Sequence, residues 1–427
     1  MNNGARYLTI NTVVRKYMME ITRTDTDVPS WLTPKDCDET HKHTPETIEG
    51  HAALFRKGLP GARITWAVSW HALTDPSPHY QAVRAKLKDL HENAGDDVTA
   101  IIGGFFPNRY NTREQINRDF DDAFAIIEKW IGHKPKSVIS GYLAADNIRY
   151  LSEKHGVIAV QGNIWSQYQI DNMDGDGSIS YPYYPSRQHF CKPAQGAADF
   201  IDCLNFDGWT VDPHFGRLVG CPTKYTNSRI GIGPIETLCN LGPEEGLQEL
   251  KATTEAHYGL SHPKNPFSWL TSCYETALFT DIPSLSHVTD WLSWMRGRWP
   301  DVRCIPLAEM AAEIRQQHPT NDTLNYELHQ KGSGIGATRP EEEITWYMNK
   351  AFRLGVFADA KGAQTVFDYT RYTRDYQEPQ GLGERDWGLL DQISQKQIRP
   401  QDRPVPLDKF TDLKKVRATL RAMGRTL

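Results

Sequence analysis

No apolar run in the chain approaches the ~18 residues that a membrane span needs, no CxxC pair occurs, and positive charge is not in excess. The first absence argues against a membrane-spanning segment. The second sets aside zinc-ribbon and thioredoxin-type sites. The third, 48 Lys and Arg against 53 Asp and Glu for a net charge of −5, removes the broad cationic surface by which nucleic-acid binders hold phosphates. No GxGxxG follows an early strand, and GxxxxGK[ST] and the Gly-x-Ser-x-Gly elbow are missing, so nucleotide folds and serine hydrolases lose their main support. Neither HExxH nor HxxxH occurs, which leaves a pre-organised zinc site unsupported. No cofactor is called for.

What is present is 427 residues rich in rings, with 12 Trp, 18 Tyr and 15 Phe, turned by 26 Pro and 32 Gly. That length predicts more than one domain. Seven cysteines, an odd number, read as buried free thiols. The start Met1-Asn2-Asn3-Gly4 has neither a basic nor an apolar signal region. It suits an intracellular protein or a mature segment of an exported one, and the sequence does not separate these.

Short β-type runs alternate with helical ones through the first three-quarters of the chain. Strands are expected over 7–14, 64–70, 98–103, 137–139, 157–160 and 267–273, with helices over 78–92 and from Thr112 to Gly132. Thr112-Arg-Glu-Gln115 is a capping box. Ile116, Phe120, Phe124 and Ile127 then make one apolar stripe, and Gly132 supplies the left-handed stop. This alternation predicts a parallel sheet with helices outside, and a (β/α)7–8 barrel fits the length better than a doubly wound sheet. The barrel domain is expected over 1–320, with a long insert over about 165–234. A small β-rich accessory domain is expected over 321–427. The glycine-rich stretch 331–337 reads as a flexible joint.

In such a barrel, chemistry gathers at the C-terminal strand ends. The strand over 64–70 delivers His71, with Asp75 behind it. The strand over 98–103 leads to Arg109, and the one over 267–273 leads to Glu275. The insert carries Trp165, Gln167, Tyr183 and Tyr184 among Asp171, Asp174 and Asp176. Rings can stack on a sugar face and carboxylates can accept its hydroxyl protons. If Gly177 is the sixth position of a calcium loop, the twelfth is Tyr183 and the bidentate Glu is absent. An Asp/Gly turn is therefore the preferred reading. Asp207 and Glu236 each end a short apolar run, a setting that raises a carboxyl pKa for general-acid work. The His41-Lys-His43 pair precedes a helix start and is expected at the surface.

The strand over 64–70, the turn Gly103-Gly-Phe-Phe-Pro-Asn-Arg-Tyr110 and the segment 141–160 resemble the glycoside hydrolase/deacetylase β/α-barrel superfamily. Residues 161–167, 174–186, 189–195 and Gly233-Pro-Ile-Glu236 resemble, more closely, an uncharacterised two-domain bacterial family of Bacteroidetes type. The resemblance covers nearly the whole chain and implies the barrel, the small C-terminal domain and frequent export. It does not supply a reaction. Where the deacetylases carry an aspartate pair this chain has Ser69-Trp70-His71, and where they carry HxxxH it has Phe106-Pro-Asn-Arg-Tyr110. Zinc-dependent deacetylation is therefore not carried over.

The expectation is a carbohydrate-active, glycoside hydrolase-like enzyme. Asp207, Glu236 and Glu275 are its candidate carboxylates, and His71, Arg109, Trp165, Gln167, Tyr183 and Tyr184 shape the sugar site. The alternatives are a non-catalytic glycan-binding barrel and a metal-dependent hydrolase drawing on His71, Asp171 and Asp174.

Overall fold

The computed structural model describes residues 4–18, 20, 38–103, 107–141, 143–163, 177–208, 212–214, 233–275, 285–335, 338–380, 389, 393–394 and 404–427. Strand β1 (Arg6–Val14) is buried along almost its whole length, as a strand covered on both faces must be. It pairs in parallel with β2 (Ile64–Ser69) on one side and β7 (Ser268–Glu275) on the other. Strand β3 (Asp97–Ile101) extends the sheet beyond β2, and β8 (Val302–Cys304) pairs with the first residues of β1. A second parallel sheet runs β4 (Ser137–Ile139), β5 (Ala159–Asn163), β6 (Leu204–Asp207).

Side chains join the two sheets into a barrel. The Thr99 hydroxyl on β3 donates to the Ser137 carbonyl on β4. On the opposite seam Phe206 of β6 meets Trp269 of β7 edge to face, with ring centroids 5.3 Å apart. The connections between strands carry helices α1 (Pro45–Gly58), α2 (Trp70–Thr74), α3 (Pro78–Ala94), α4 (Pro107–Tyr110), α5 (Arg113–Ile131) and α6 (Ala145–Tyr150). Later come α7 (Pro234–Leu241), α8 (Pro243–Thr254), α9 (Ser286–Arg298) and α10 (Leu307–Gln317).

Local rules hold well on α5. Thr112 Oγ1 accepts from the Gln115 N–H at 3.2 Å, Gln115 Oε1 accepts from the Thr112 N–H at 2.9 Å, and Gly132 closes the helix at φ 91°. Thr112→Ala should lower stability by about 1 kcal/mol, the usual worth of an N-cap. A shift of the urea midpoint at unchanged m-value would register it.

The C-terminal unit is an antiparallel sheet in the order β13-β12-β11-β10-β9, with β14 (Val405–Pro406) paired to β12. Its strands are β9 (Tyr326–Lys331), β10 (Glu343–Met348), β11 (Phe352–Ala358), β12 (Gln364–Arg371) and β13 (Ile393–Ser394). Alternation along β10 splits its side chains between two cores. Ile344, Trp346 and Met348 join the barrel core, while Tyr347 joins a second core. Helix α11 (Leu413–Ala422) closes that second core with Val416 and Leu420. The stretch expected to be a flexible joint is instead part of the β9–β10 hairpin connection. Gly334 makes its turn at φ 84°, and Ser333 is anchored to Glu249.

The segment 177–203, which precedes β6, contacts the C-terminal sheet. Tyr372 donates to the Gly177 carbonyl at 2.6 Å and Tyr326 to the Pro182 carbonyl at 2.7 Å. Glu378 reaches back to the barrel, accepting from the Ala145 N–H at the start of α6 (3.0 Å) and from the Phe190 N–H (3.2 Å), with Arg113 3.1 Å away. Of the five described cysteines all but Cys239 are buried.

Under the β9–β10 connection lies a carboxyl pair. Thr253 donates to Asp212 at 2.7 Å, and Ser333 donates to Glu249 at 2.5 Å. Burial, and then the Asp212 carboxylate, push Glu249 up to about 10, so the folded protein holds a proton there that the unfolded chain releases. Stability from this group is full below the ordinary carboxylate pKa and is lost as pH rises toward about 10. Glu378, raised to about 7 by burial, adds the same sign over a narrower window. Glu249→Gln should flatten the fall in denaturation midpoint between pH 5 and pH 9. An unchanged slope in that variant would remove Glu249 as its source.

Candidate active site at the barrel mouth

The barrel interior is polar toward its C-terminal end. Inward residues of β1, β5 and β7 form one buried network. Asn11 donates to Gln161 at 2.9 Å, and Thr9 donates to Thr271 at 2.9 Å. Gln161 Nε2 donates both to Thr271 Oγ1 (3.0 Å) and to the Asp207 carbonyl (2.8 Å). A polar network with its members partnered holds one geometry, and here it ties the end of β6 to β7. A register shift between Gln161 and Asn163 sets Asn163 beside Asp207. The Asn163 amide is held by Ser178 Oγ (2.7 Å) and the Ile179 carbonyl (3.0 Å).

Asp207 therefore ends β6 fully buried. Glu275 ends β7 opposite Val13 of β1. Of Glu275, Glu236 and Arg109 only the main chain lies within the described residues: Glu236 is in the first turn of α7, and Arg109 is in the single turn of α4. Trp165, Gln167, Asp171 and Asp174 lie outside the described residues, as do 209–211 and 215–232 of the insert.

His71 follows β2, half-buried, with its ring edge-on to Tyr17 (5.2 Å between centroids). Beside it is a carboxyl that no sequence pattern singled out. Glu20 is buried and accepts from Ser69 Oγ at 2.5 Å and from the His71 N–H at 3.0 Å. Burial raises Glu20 above the ordinary carboxylate range, against His71 and these donors, which favour the anion. Ser69 is also the N-cap of α2, so Glu20 fixes the turn that presents His71. Nearby, Lys16 pairs with Asp75 at 2.6 Å. Burial pushes Asp75 up, but the Lys16 and Ser77 hydrogen bonds outweigh it and hold Asp75 down at about 2.

Three expectations need correction. Tyr183 and Tyr184 are core residues: their hydroxyls donate to the Phe190 carbonyl (2.8 Å) and the His318 carbonyl (2.9 Å), and neither ring presents a face to a ligand. The structure therefore does not bring them to the mouth. His43, expected at the surface, is buried beside Glu39 (3.6 Å), which Arg15 pins at 2.5 Å. Burial, and then the nearby His43, push His51 down to about 3.

Asn108 spends its amide on Asn147 (2.7 Å) and its carbonyl on the Ala144 N–H (2.8 Å). Among the described residues no group of three His, Cys, Asp or Glu side chains is arranged around a common point for a metal. Nor, among them, is any helix long and apolar enough to cross a membrane.

Residues 1–348 match the family model DUF3863, a domain of unknown function with a solved structure, and residues 353–422 match DUF3864, described in the same words. A protein of Parabacteroides distasonis, carried provisionally as a glycoside hydrolase/deacetylase, superposes with a TM-score of 0.88 at 34% identity, covering 98% of each chain. A polysaccharide deacetylase-type protein of Pseudomonas aeruginosa reaches 0.48 at 12% identity, over 74% of this chain and 93% of its own. A GH57 branching enzyme of Thermococcus kodakaraensis reaches 0.41 at 13% identity, over 79% of this chain and 74% of its own. No curated protein matches the chain.

Proposed function

The chain belongs to the DUF3863 family, and on that footing we propose that it is a glycan hydrolase whose chemistry sits at the C-terminal mouth of the barrel. One observation carries this reading: Asp207 and Glu275 end β6 and β7, and Gln161 of β5 ties the two strands by donating to the Asp207 carbonyl and to Thr271. Strand neighbours lie about 5 Å apart when paired and farther when not. Glycosidases need two carboxyls separated by about 5–5.5 Å for retention or about 6.5–9.5 Å for inversion. Asp207, fully buried at the end of β6, suits the group that carries the proton, and Glu275 suits the nucleophile or base. Glu236 is the third candidate.

His71, oriented through Glu20, would meet the sugar on the β2 side of the mouth. Arg109, Trp165 and Gln167 would complete the binding surface. The relative from P. distasonis supports a carbohydrate-active fold without naming a reaction.

Purified protein tested on a broad panel of oligo- and polysaccharides should release reducing sugar from at least one. Asp207→Asn and Glu275→Gln should each remove that release. Wild-type rates in Asp207→Asn, Glu275→Gln and Glu236→Gln alike would end the assignment.

A further inference from the structure

Helix α11 carries Lys414, Lys415, Arg417 and Arg421 and no acidic residue. Residues 404–427 hold six Lys or Arg against two Asp, in a chain whose net charge is −5. Lys414, Arg417 and Arg421 are spaced three and four apart and share one face. Among the described residues none of Lys414, Lys415, Arg417 and Arg421 forms an ion pair or a side-chain hydrogen bond. Arg425, one turn on, differs: it is committed to Glu327 at 2.9 Å. A surface cleft of about 420 Å³ runs along the unpaired face, and Asp408 also lines it.

We propose that this face binds an acidic polysaccharide bearing about one carboxylate per sugar, so that the C-terminal unit holds the polymer whose chain the barrel processes. The inference rests on the carbohydrate reading of the barrel. Three cations over seven residues of helix span ~10 Å, or about one per 5 Å. Duplex DNA presents one charge per ~1.7 Å, a density this face does not match and that Asp408 would repel. A carboxylate polymer of lower density can pair with the cations while Asp408 accepts sugar hydroxyls. Arg417 and Arg421 add guanidinium forks suited to carboxylates. A membrane surface fits poorly. The apolar stripe an interfacial helix would insert is already spent, because Val416 and Leu420 are buried against Tyr369 and Phe410.

The full chain run through native gels containing polygalacturonate should be retarded, and gels containing neutral dextran should leave it unshifted. Lys414→Gln/Arg417→Gln/Arg421→Gln should weaken polygalacturonate binding at least tenfold by titration calorimetry. Its far-UV circular dichroism should stay unchanged, since these side chains lie outside both cores. Lys57→Gln/Lys88→Gln/Lys361→Gln, which removes the same charge elsewhere, should bind like wild type. Asp207→Asn should be retarded normally, which separates this binding from any failure of the hydrolase reading. Equal retardation of wild type and the α11 variant would overturn the proposal. So would tighter capture by single-stranded DNA or by phosphatidylglycerol vesicles than by polygalacturonate.

Discussion

Arg353→Met is expected to cost about 3–5 kcal/mol of stability, the range for stripping one partner from a buried ion pair. Arg353 on β11 and Asp368 on β12 are both buried. The guanidinium donates to Asp368 in a fork, Nε to Oδ1 at 3.0 Å and Nη2 to Oδ2 at 2.7 Å. Its remaining Nη1 donates to the Ser178 carbonyl at 3.0 Å, and its plane lies over Trp346, 5.4 Å from the ring centroid. Methionine keeps much of the volume but leaves a carboxylate facing apolar rings and a carbonyl short of a donor. Most of the cost is the desolvation of what remains rather than the attraction lost. The double variant Arg353→Met/Asp368→Asn should therefore recover much of it. Guanidinium denaturation of wild type and both variants makes the comparison. A single variant that unfolds at the wild-type midpoint would show that the pair contributes nothing.

Asp207→Asn should lower turnover by about 10²–10⁴-fold, the share that a positioned general acid or base contributes. Asparagine matches the volume and leaves the main-chain bond from Gln161 intact, so a large loss would report on the proton and charge. If Asp207 acts only in the transition state, kcat and kcat/KM should fall together. A rise in KM at constant kcat would instead make it a binding group. Thr271→Ala, which loosens the Gln161 bridge without touching a carboxyl, should have a much smaller effect on the rate. Anomeric analysis of the product by NMR would then report whether the working carboxyls are closer or farther than about 6 Å.

The barrel was legible because its signals are local. Apolar runs of strand length, the Thr112–Gln115 box and the Gly132 stop each depend on a few neighbouring residues, and the strands and α5 lie close to where these put them. The site was less legible because its signals are not local. Glu20 follows β1 in an unremarkable Met-Glu-Ile stretch, and its meaning comes from Ser69 and His71 some fifty residues on. His43 reads as exposed because nothing in a sequence says that Glu39, pinned by Arg15, will meet it inside. Tyr183 and Tyr184 show the ambiguity of rings with hydroxyls. The same amphipathic side chain suits a sugar platform or a core whose main-chain carbonyls need donors, and here the carbonyls of Phe190 and His318 took both. The glycines of 331–337 signal a turn but do not distinguish an interdomain joint from a hairpin.

The two family matches meet between Met348 and Arg353, which is the step from β10 to β11 inside a single sheet. Separating the chain there would peel β10 from β11 along its whole length and leave a row of unpaired N–H and C=O groups. An open edge of that kind recruits other chains into aggregates. The matching strand, released with the second fragment, would carry the complementary edge. Fragments made at this junction should therefore precipitate or re-associate with each other, and the two segments should be inherited, expressed and rearranged only as a pair.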